Sequence, residues 1–328
     1  MEPEPTLADI RATRERIDPY IVQTPVWHWR NRDITEIVGN QTQVLLKLEL
    51  FQHTGTFKAR GAINNILSLD EERQRRGVTA VSAGNHAIAV SYAGKILSSP
   101  AKVVMPQNAN SARVDLCRSY DAEVVLVPNV HEAFAEVKRI EEEECRTFVH
   151  PFEGRTTILG TATVGYELTQ QIPELDAVVI PVGGGGLCAG IATAVKLSQP
   201  HCQVYAVEPE GADTMRRSFA SGKPETIDAV HTIADSLGAP FAAPYSFHLC
   251  QKYVDELVLV SDDELRQAML RLYRGTKLAV EPAGAATTAA LVGPLRQKLQ
   301  GQRIALIVCG SNIDVPTFAQ HIAAGWPS

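Results

Sequence analysis

At 328 residues with 45% apolar side chains, the chain is long enough for two domains, or for one large α/β unit carrying a lobe, around a sizeable core. A net charge of −6 argues against nucleic acid as the main partner. No run of about 18 apolar residues occurs, so no membrane span is expected, and residues 1–5 are acidic without the apolar stretch of a secretory signal, reading as a short disordered lead-in.

Cysteines at 117, 145, 188, 202, 250 and 309 form no Cys-x-x-Cys pair and have no His-x-x-x-His beside them. Neither a disulfide framework nor a zinc site is expected. A reducing cytosol fits this usage.

In chain order, residues 45–48 read as a strand. The run Gly55-Thr56-Phe57-Lys58-Ala59-Arg60-Gly61-Ala62 follows. Its glycines let backbone approach a ligand, its aromatic can cover a ring face, and its amine is available for a Schiff base. A loop lysine is ordinarily just a solvated charge, so the run gains meaning only from other segments. A strand at 78–81 leads into a helix over about 86–97, with Ser82-Ala83-Gly84-Asn85-His86 at the junction. Hydroxyl, amide and free N–H groups there can hold a carboxylate; helix capping alone explains Ser or Asn equally well.

A strand at 101–105 ends at Pro106, followed by a helix over about 112–120 and a strand at 123–127. Ala133, Phe134, Val137 and Ile140 then space as one helix face, with the acidic run 141–144 as its solvated end. Residues 147–149 close the set. The stretch 77–150 is thus expected to be a small four-stranded domain, inserted into a large one made of 1–76 and 151–328.

A second series comprises a helix at 158–170, a strand at 177–182, a helix at 187–197, and strands at 203–207 and 303–308. The alternation implies α/β architecture with parallel strands. Only a short tail is expected after 308, with no C-terminal regulatory domain. Between strand and helix stand Gly183, Gly184, Gly185 and Gly186, then Leu187. Consecutive glycines expose N–H groups and the helix end adds its dipole, an anion site most often used for phosphate. No Lys-Ser/Thr follows, so this is not a nucleotide P-loop. A nicotinamide dinucleotide is the rival, with Glu208 about where an acidic ribose ligand would sit, although Cys188 replaces the third glycine. The glycines alone leave these two readings even. Cys309 ends the 303–308 strand at the carboxyl edge of the sheet, where α/β ligands bind; a plain strand-to-turn junction is the alternative.

The ordered set resembles a fold-type II pyridoxal-phosphate enzyme of the threonine/serine dehydratase and serine racemase family. The matching stretches are Lys47-Leu48-Glu49, the run around Lys58, 82–86, His150-Pro151-Phe152, 181–187, Thr232-Ile233-Ala234-Asp235, Val280-Glu281-Pro282-Ala283-Gly284 and 309–314. They span about residues 7–315. The resemblance implies a tryptophan synthase β-like fold: two three-layer αβα domains with open, twisted, mostly parallel sheets. It also implies pyridoxal 5'-phosphate as cofactor, a homodimer or homotetramer, and a cytoplasmic location.

Residue by residue, the resemblance implies that Lys58 carries the cofactor and later takes the substrate α-proton. Phe57 packs on the ring, Asn85 bonds the ring hydroxyl, and Gly183, Gly184, Gly185, Gly186 and Leu187 hold the phosphate. Glu281 joins the cofactor-binding set. Cys309 faces the pyridine nitrogen where serine is common; either is neutral, which weakens the electron sink and suits loss of a β-substituent. Ser82, Ala83, Gly84, Asn85 and His86 line the substrate carboxylate site. The implied reaction converts a hydroxy amino acid such as L-threonine or L-serine to a 2-oxo acid and ammonia. Hydroxyaspartate, phenylserine or a hydroxyectoine-breakdown intermediate are alternative substrates. A nicotinamide-dependent dehydrogenase leaves Lys58 and the 82–86 turn unexplained, and retention of Lys58 argues against a non-catalytic amino-acid sensor.

Three departures narrow the activity. Ala83 stands where racemases carry a second serine, so dehydration without efficient racemisation is expected. Glu208 and the Ala212 carbonyl match a metal site of some relatives, but Thr214 replaces an acidic ligand and Asp213 is one position off, which argues against divalent-metal activation. Ala234-Asp235-Ser236-Leu237-Gly238 differs from the family's Ala-Asp-Gly beside the substrate, leaving the side-chain preference open.

Overall fold

The computed structural model describes residues 2–326. Among the described residues there are ten strands, most of them short runs rich in β-branched and aliphatic residues: β1 Val26–Trp29, β2 Gln43–Leu48, β3 Val78–Val81, β4 Ala101–Pro106, β5 Glu123–Val127, β6 Thr147–Phe148, β7 Ala177–Pro181, β8 Gln203–Pro209, β9 Glu256–Val260 and β10 Arg303–Val308. They make a six-stranded sheet in the order β1-β2-β10-β7-β8-β9 and a four-stranded sheet in the order β5-β4-β3-β6. Every pairing is parallel except β1 with β2. Buried parallel strands are apolar throughout rather than alternating, and β7 is buried at all five positions. The α/β architecture with two open, mostly parallel sheets is as expected.

Each sheet has its own core. That of the four-stranded sheet also takes in Ala59, Ala62, Ile63 and Ile66, all on the helix Lys58–Leu67. On the other side of that helix, the fully buried Arg60 bonds Glu49 (Nε to Oε2, 2.9 Å) and Glu167 (Nη1 to Oε2, 3.1 Å). Lys47 joins them through Glu167 Oε1 at 2.5 Å. The helix that begins with Lys58 is therefore gripped by apolar packing on one side and buried ion pairs on the other.

Three expectations are corrected. Residues 2–5 are not a loose lead-in: Glu4 accepts from Lys252 (2.6 Å) and Tyr253 (3.1 Å) and pairs with His248 (2.9 Å), while the Tyr245 hydroxyl donates to the Pro3 carbonyl. An anion meeting two basic side chains and a phenol fixes the segment. The tail after β10 forms a helix, Val315–Ala324, whose Phe318 stands edge-on to Tyr273 at 5.6 Å. Finally, Ala133, Val137 and Ile140 pack with Val81 and Val104 as anticipated, but Phe134 does not. It is 39% exposed, one residue and roughly 100° around the helix from Ala133.

Candidate active site

A cavity of about 610 Å³ opens between residues of the two sheets. It gathers almost every expected site residue: Phe57 and Lys58, the turn from Ser82 to His86, the four glycines with Leu187, Glu281 and Cys309. The carboxyl ends of β3, β7 and β10 supply the 82–86 turn, the glycines and Cys309, as the parallel topology requires, while Glu281 occupies the N-cap position of the helix Pro282–Val292.

Lys58 is the first residue of its helix. The preceding run is pinned to the turn after β10: the Phe57 N–H donates to the Cys309 carbonyl at 3.3 Å, and Thr56 bridges Gly310. The Lys58 amine donates to the Pro151 carbonyl at 2.5 Å and lies 5.2 Å from the Phe57 ring centroid. The residue opens onto the cavity, yet protein surrounds its amine, and this desolvation pushes it down to about 8 against the pull of Cys309 and Glu281.

Gly84 precedes the helix Asn85–Ile96, whose N-terminus faces the cavity. The Ser82 hydroxyl accepts the Gly84 N–H at 3.0 Å and shapes the turn. His86 Nε2 lies 2.7 Å from the Val149 carbonyl, so that nitrogen carries the proton. Burial, then the nearby Lys58, hold His86 down to about 3, and His150 is lowered to about 4 by the same two effects. Both rings are neutral at ordinary pH.

Asn85 donates from Nδ2 to Glu281 Oε1 (2.8 Å) and Ser236 Oγ (3.1 Å), and its Oδ1 accepts from Asn312 at 2.8 Å. These bonds occupy both amide protons, so a ring oxygen is bonded either by exchange with one of them or, as a hydroxyl, by donating to Oδ1 alongside Asn312. Glu281 Oε2 is buried without a partner; burial, reinforced by Asp235, raises its carboxyl to about 7. Cys309 is 3% exposed, and burial holds its thiol well above the usual range, hence neutral.

Glu208 does not line the cavity. Its two carboxylate oxygens accept the Met215 and Arg216 N–H groups, each at 2.8 Å, capping the helix Thr214–Ser221. Burial raises it to about 8. The dinucleotide reading loses its acidic ligand in this way. Ala212 is buried nearby, and among the described residues no cluster of three or more His, Cys, Asp or Glu side chains could hold a metal ion.

A family model for pyridoxal-phosphate dependent enzymes matches residues 17–310. The chain belongs to that family. It is 54% identical to a phenylserine dehydratase from Ralstonia pickettii, over 98% of this chain and 97% of the relative. It is 37% identical to an L-threonine ammonia-lyase from Thermotoga maritima, over 98% of this chain and 79% of the relative. A maize serine racemase structure superposes with a TM-score of 0.92 at 36% identity, covering 98% of both chains.

The cofactor of this pyridoxal-phosphate dependent enzyme is pyridoxal 5'-phosphate, and the residues present fit it. Among the described residues, the N–H groups of Gly183, Gly184 and Gly185 donate to no protein acceptor, leaving donors open at the start of the helix Gly186–Ser198. The loop cannot carry side chains: Gly185 has φ +92°, and a Cβ on Gly184 would lie 2.2 Å from the Phe152 ring. Lysine, an aromatic ring, open backbone donors and a neutral thiol suit the aldehyde, ring, phosphate and pyridine nitrogen in turn.

Sequence reasoning missed the supports of this loop and of the cavity mouth. The Ser246 hydroxyl donates to the Gly184 carbonyl (3.1 Å), and Glu153 accepts the Tyr245 and Ser246 N–H groups at 2.7 and 3.0 Å. Arg113 bonds Asp235 Oδ2 (2.5 Å) and the Asn312 carbonyl (2.9 Å), tying the helix Ser111–Ser119 to two segments of the larger sheet's side. These partners stand far apart in sequence, and no local pattern announces them.

Proposed function

We propose that this chain eliminates water from a β-hydroxy amino acid, releasing a 2-oxo acid and ammonia. The observation that carries the reading is the Lys58 amine, lowered to about 8, sharing one cavity with the neutral Cys309 thiol and a free helix N-terminus. The dehydratase and ammonia-lyase names of the relatives support it. Pyridoxal phosphate, when bound, supplies the electron sink that acidifies the amino acid's α-carbon.

Lys58 would hold the cofactor through its amine and, with that amine free, would take the substrate α-proton at Nζ; a neutral amine is needed for both tasks. Gly183, Gly184, Gly185, Gly186 and Leu187 bind the phosphate, and Phe57 packs on the ring. Asn85, backed by Glu281, orients the ring oxygen. Ser82, Gly84, Asn85 and His86 hold the substrate carboxylate at the positive end of the Asn85–Ile96 helix. Cys309 would offer the cofactor's ring nitrogen a neutral partner in place of an acidic one, which suits elimination. No resident metal is proposed.

Residues 77–150 would act as a small domain inserted in a larger one. All four strands of the smaller sheet lie in that window, although its core borrows the helix Lys58–Leu67. No helix among the described residues is long and apolar enough to cross a membrane; a cytoplasmic homodimer or homotetramer is the expected form. L-threonine, L-serine and 3-phenylserine are the substrates to test. Release of a 2-oxo acid with stoichiometric ammonia from at least one supports the reading, and absence from all three, with cofactor bound, overturns it.

A further inference from the structure

The helix Val130–Glu144 turns Phe134 away from its own core and onto the active-site cavity, where it stands near Pro128 on the cavity wall. From the other sheet's side comes Phe241, 5.4 Å from Phe152 between ring centroids and tilted by 54°. Phe152 is in turn edge-on to His150 at 4.7 Å. The amine, the 82–86 turn, the glycine loop and Cys309 are spoken for by cofactor and carboxylate. What remains of the wall is mostly apolar, including Pro128, Phe134, Pro240 and Phe241, with Asn108 and Asn129 as uncharged polar members.

This remnant is poorly suited to a second substrate carboxylate. The one guanidinium lining the cavity among the described residues, Arg113, is already bonded to Asp235 and the Asn312 carbonyl. Asp235 itself would repel an added anion. A methyl group, as on threonine, would leave most of the Phe134 ring in water. An aryl group would cover it and meet Phe241, in the offset or edge-on geometries that aromatic pairs prefer.

Building on the dehydratase reading, we propose that Phe134 and Phe241 form the subsite for an aromatic ring on the substrate β-carbon. Phe134 then sets a preference for 3-aryl-serines over threonine and serine. The two phenylalanines come from the two sides of the cavity, so the ring is held only when both sides are in place.

The test uses the holoenzyme and its Phe134→Ala and Phe134→Leu variants. Release of 2-oxo acid is measured from 3-phenylserine and from L-threonine. The ratio of kcat/KM for the two substrates should fall at least about tenfold in Phe134→Ala, mainly through KM, and less in Phe134→Leu, which keeps apolar surface without the ring. An unchanged ratio, or equal losses on both substrates, overturns the proposal. In parallel, L-phenylalanine and L-alanine, which lack a leaving group, are titrated while following the visible absorbance of the bound cofactor. The native protein should bind phenylalanine about tenfold more tightly, and Phe134→Ala should erase the difference; equal native affinities overturn the subsite. If neither hydroxy amino acid yields a 2-oxo acid, the elimination reading falls, and the phenylalanine titration still decides the ring subsite.

Discussion

The Lys58 amine donates to the Pro151 carbonyl at 2.5 Å. Pro151 follows closely on β6 of the smaller sheet, so the reactive amine on one element is aimed by backbone from another. A carbonyl only accepts, so it holds the nitrogen in either protonation state and leaves the proton balance to desolvation. With the amine near 8, cofactor capture by the apoenzyme should speed up from pH 7 to 9 as the neutral fraction grows. Borohydride reduction of the holoenzyme should place the pyridoxyl label on Lys58, and Lys58→Ala should lower turnover by more than about 10³-fold. Label on another lysine, or capture that is flat with pH, contradicts this assignment.

Gly185→Val should loosen the cofactor. The position has φ +92°, and a Cβ there would lie 2.6 Å from Met215 Cε, so the loop must move its open N–H groups. The strained backbone alone costs about 1–3 kcal/mol. Titration of apoenzyme with pyridoxal phosphate should show at least about a tenfold weaker Kd than the native protein; an unchanged Kd removes the loop from phosphate binding.

Arg60→Met should destabilise the fold, since it removes the guanidinium that bridges the buried carboxylates of Glu49 and Glu167 and leaves Lys47, Thr24 and the more distant Arg14 (3.5 Å from Glu167) as their partners. Removing one partner of a buried ionic cluster typically costs about 3–5 kcal/mol. The urea midpoint should drop accordingly. An unfolding free energy within about 0.5 kcal/mol of native would mean that the cluster relaxes without cost.

His86 and His150 give the fold an acid-side weakness. Both are depressed, to about 3 and about 4, whereas an unfolded histidine titrates near 6.5. Between those values the unfolded chain binds protons that the fold refuses. Their contribution is complete above about pH 6.5 and is lost as pH falls. His86, only 4% exposed, should account for up to about 1.4 kcal/mol per pH unit. Urea unfolding of native protein and His86→Gln between pH 7.5 and 5 checks this; identical slopes for the two would refute it.

Much of this site is legible in the chain because parallel strands end where ligands bind. β3, β7 and β10 are largely apolar runs, interrupted only by Thr79 and opened by Arg303 in β10, and the residues just beyond them, Ser82 to His86, Gly183 to Gly186 and Cys309, converge once the strands are aligned. The antiparallel β1, Val26–Trp29, carries two tryptophans and a histidine and lacks that signature, and β9 likewise escaped notice. Phe134 departs from the spacing because a helical pattern of three and four also admits a neighbour that sits roughly 100° off the core. Arg113 with Asp235, Glu153 with Tyr245 and Ser246, and Glu208 with Met215 are pairings that only the folded chain creates. In the last case the same carboxylate reads as a ribose or metal ligand until its two N–H partners are seen.

Ala83 should make this enzyme a dehydratase that racemises poorly. It lines the cavity at the turn before the Asn85–Ile96 helix, next to Ser82 and Gly84, and offers a methyl group where a proton donor or acceptor would have to stand. Racemisation needs such a group on the face of the α-carbon opposite Lys58, within about 2.6–3.2 Å of the proton it moves. Elimination needs only the lysine face. Chiral chromatography of the remaining serine, run alongside 2-oxo acid release, should show native elimination outpacing racemisation by at least about tenfold. Ala83→Ser should narrow that gap by raising racemisation, with the Lys58 label and cofactor Kd unchanged. Native racemisation as fast as elimination would mean that another residue serves the second face.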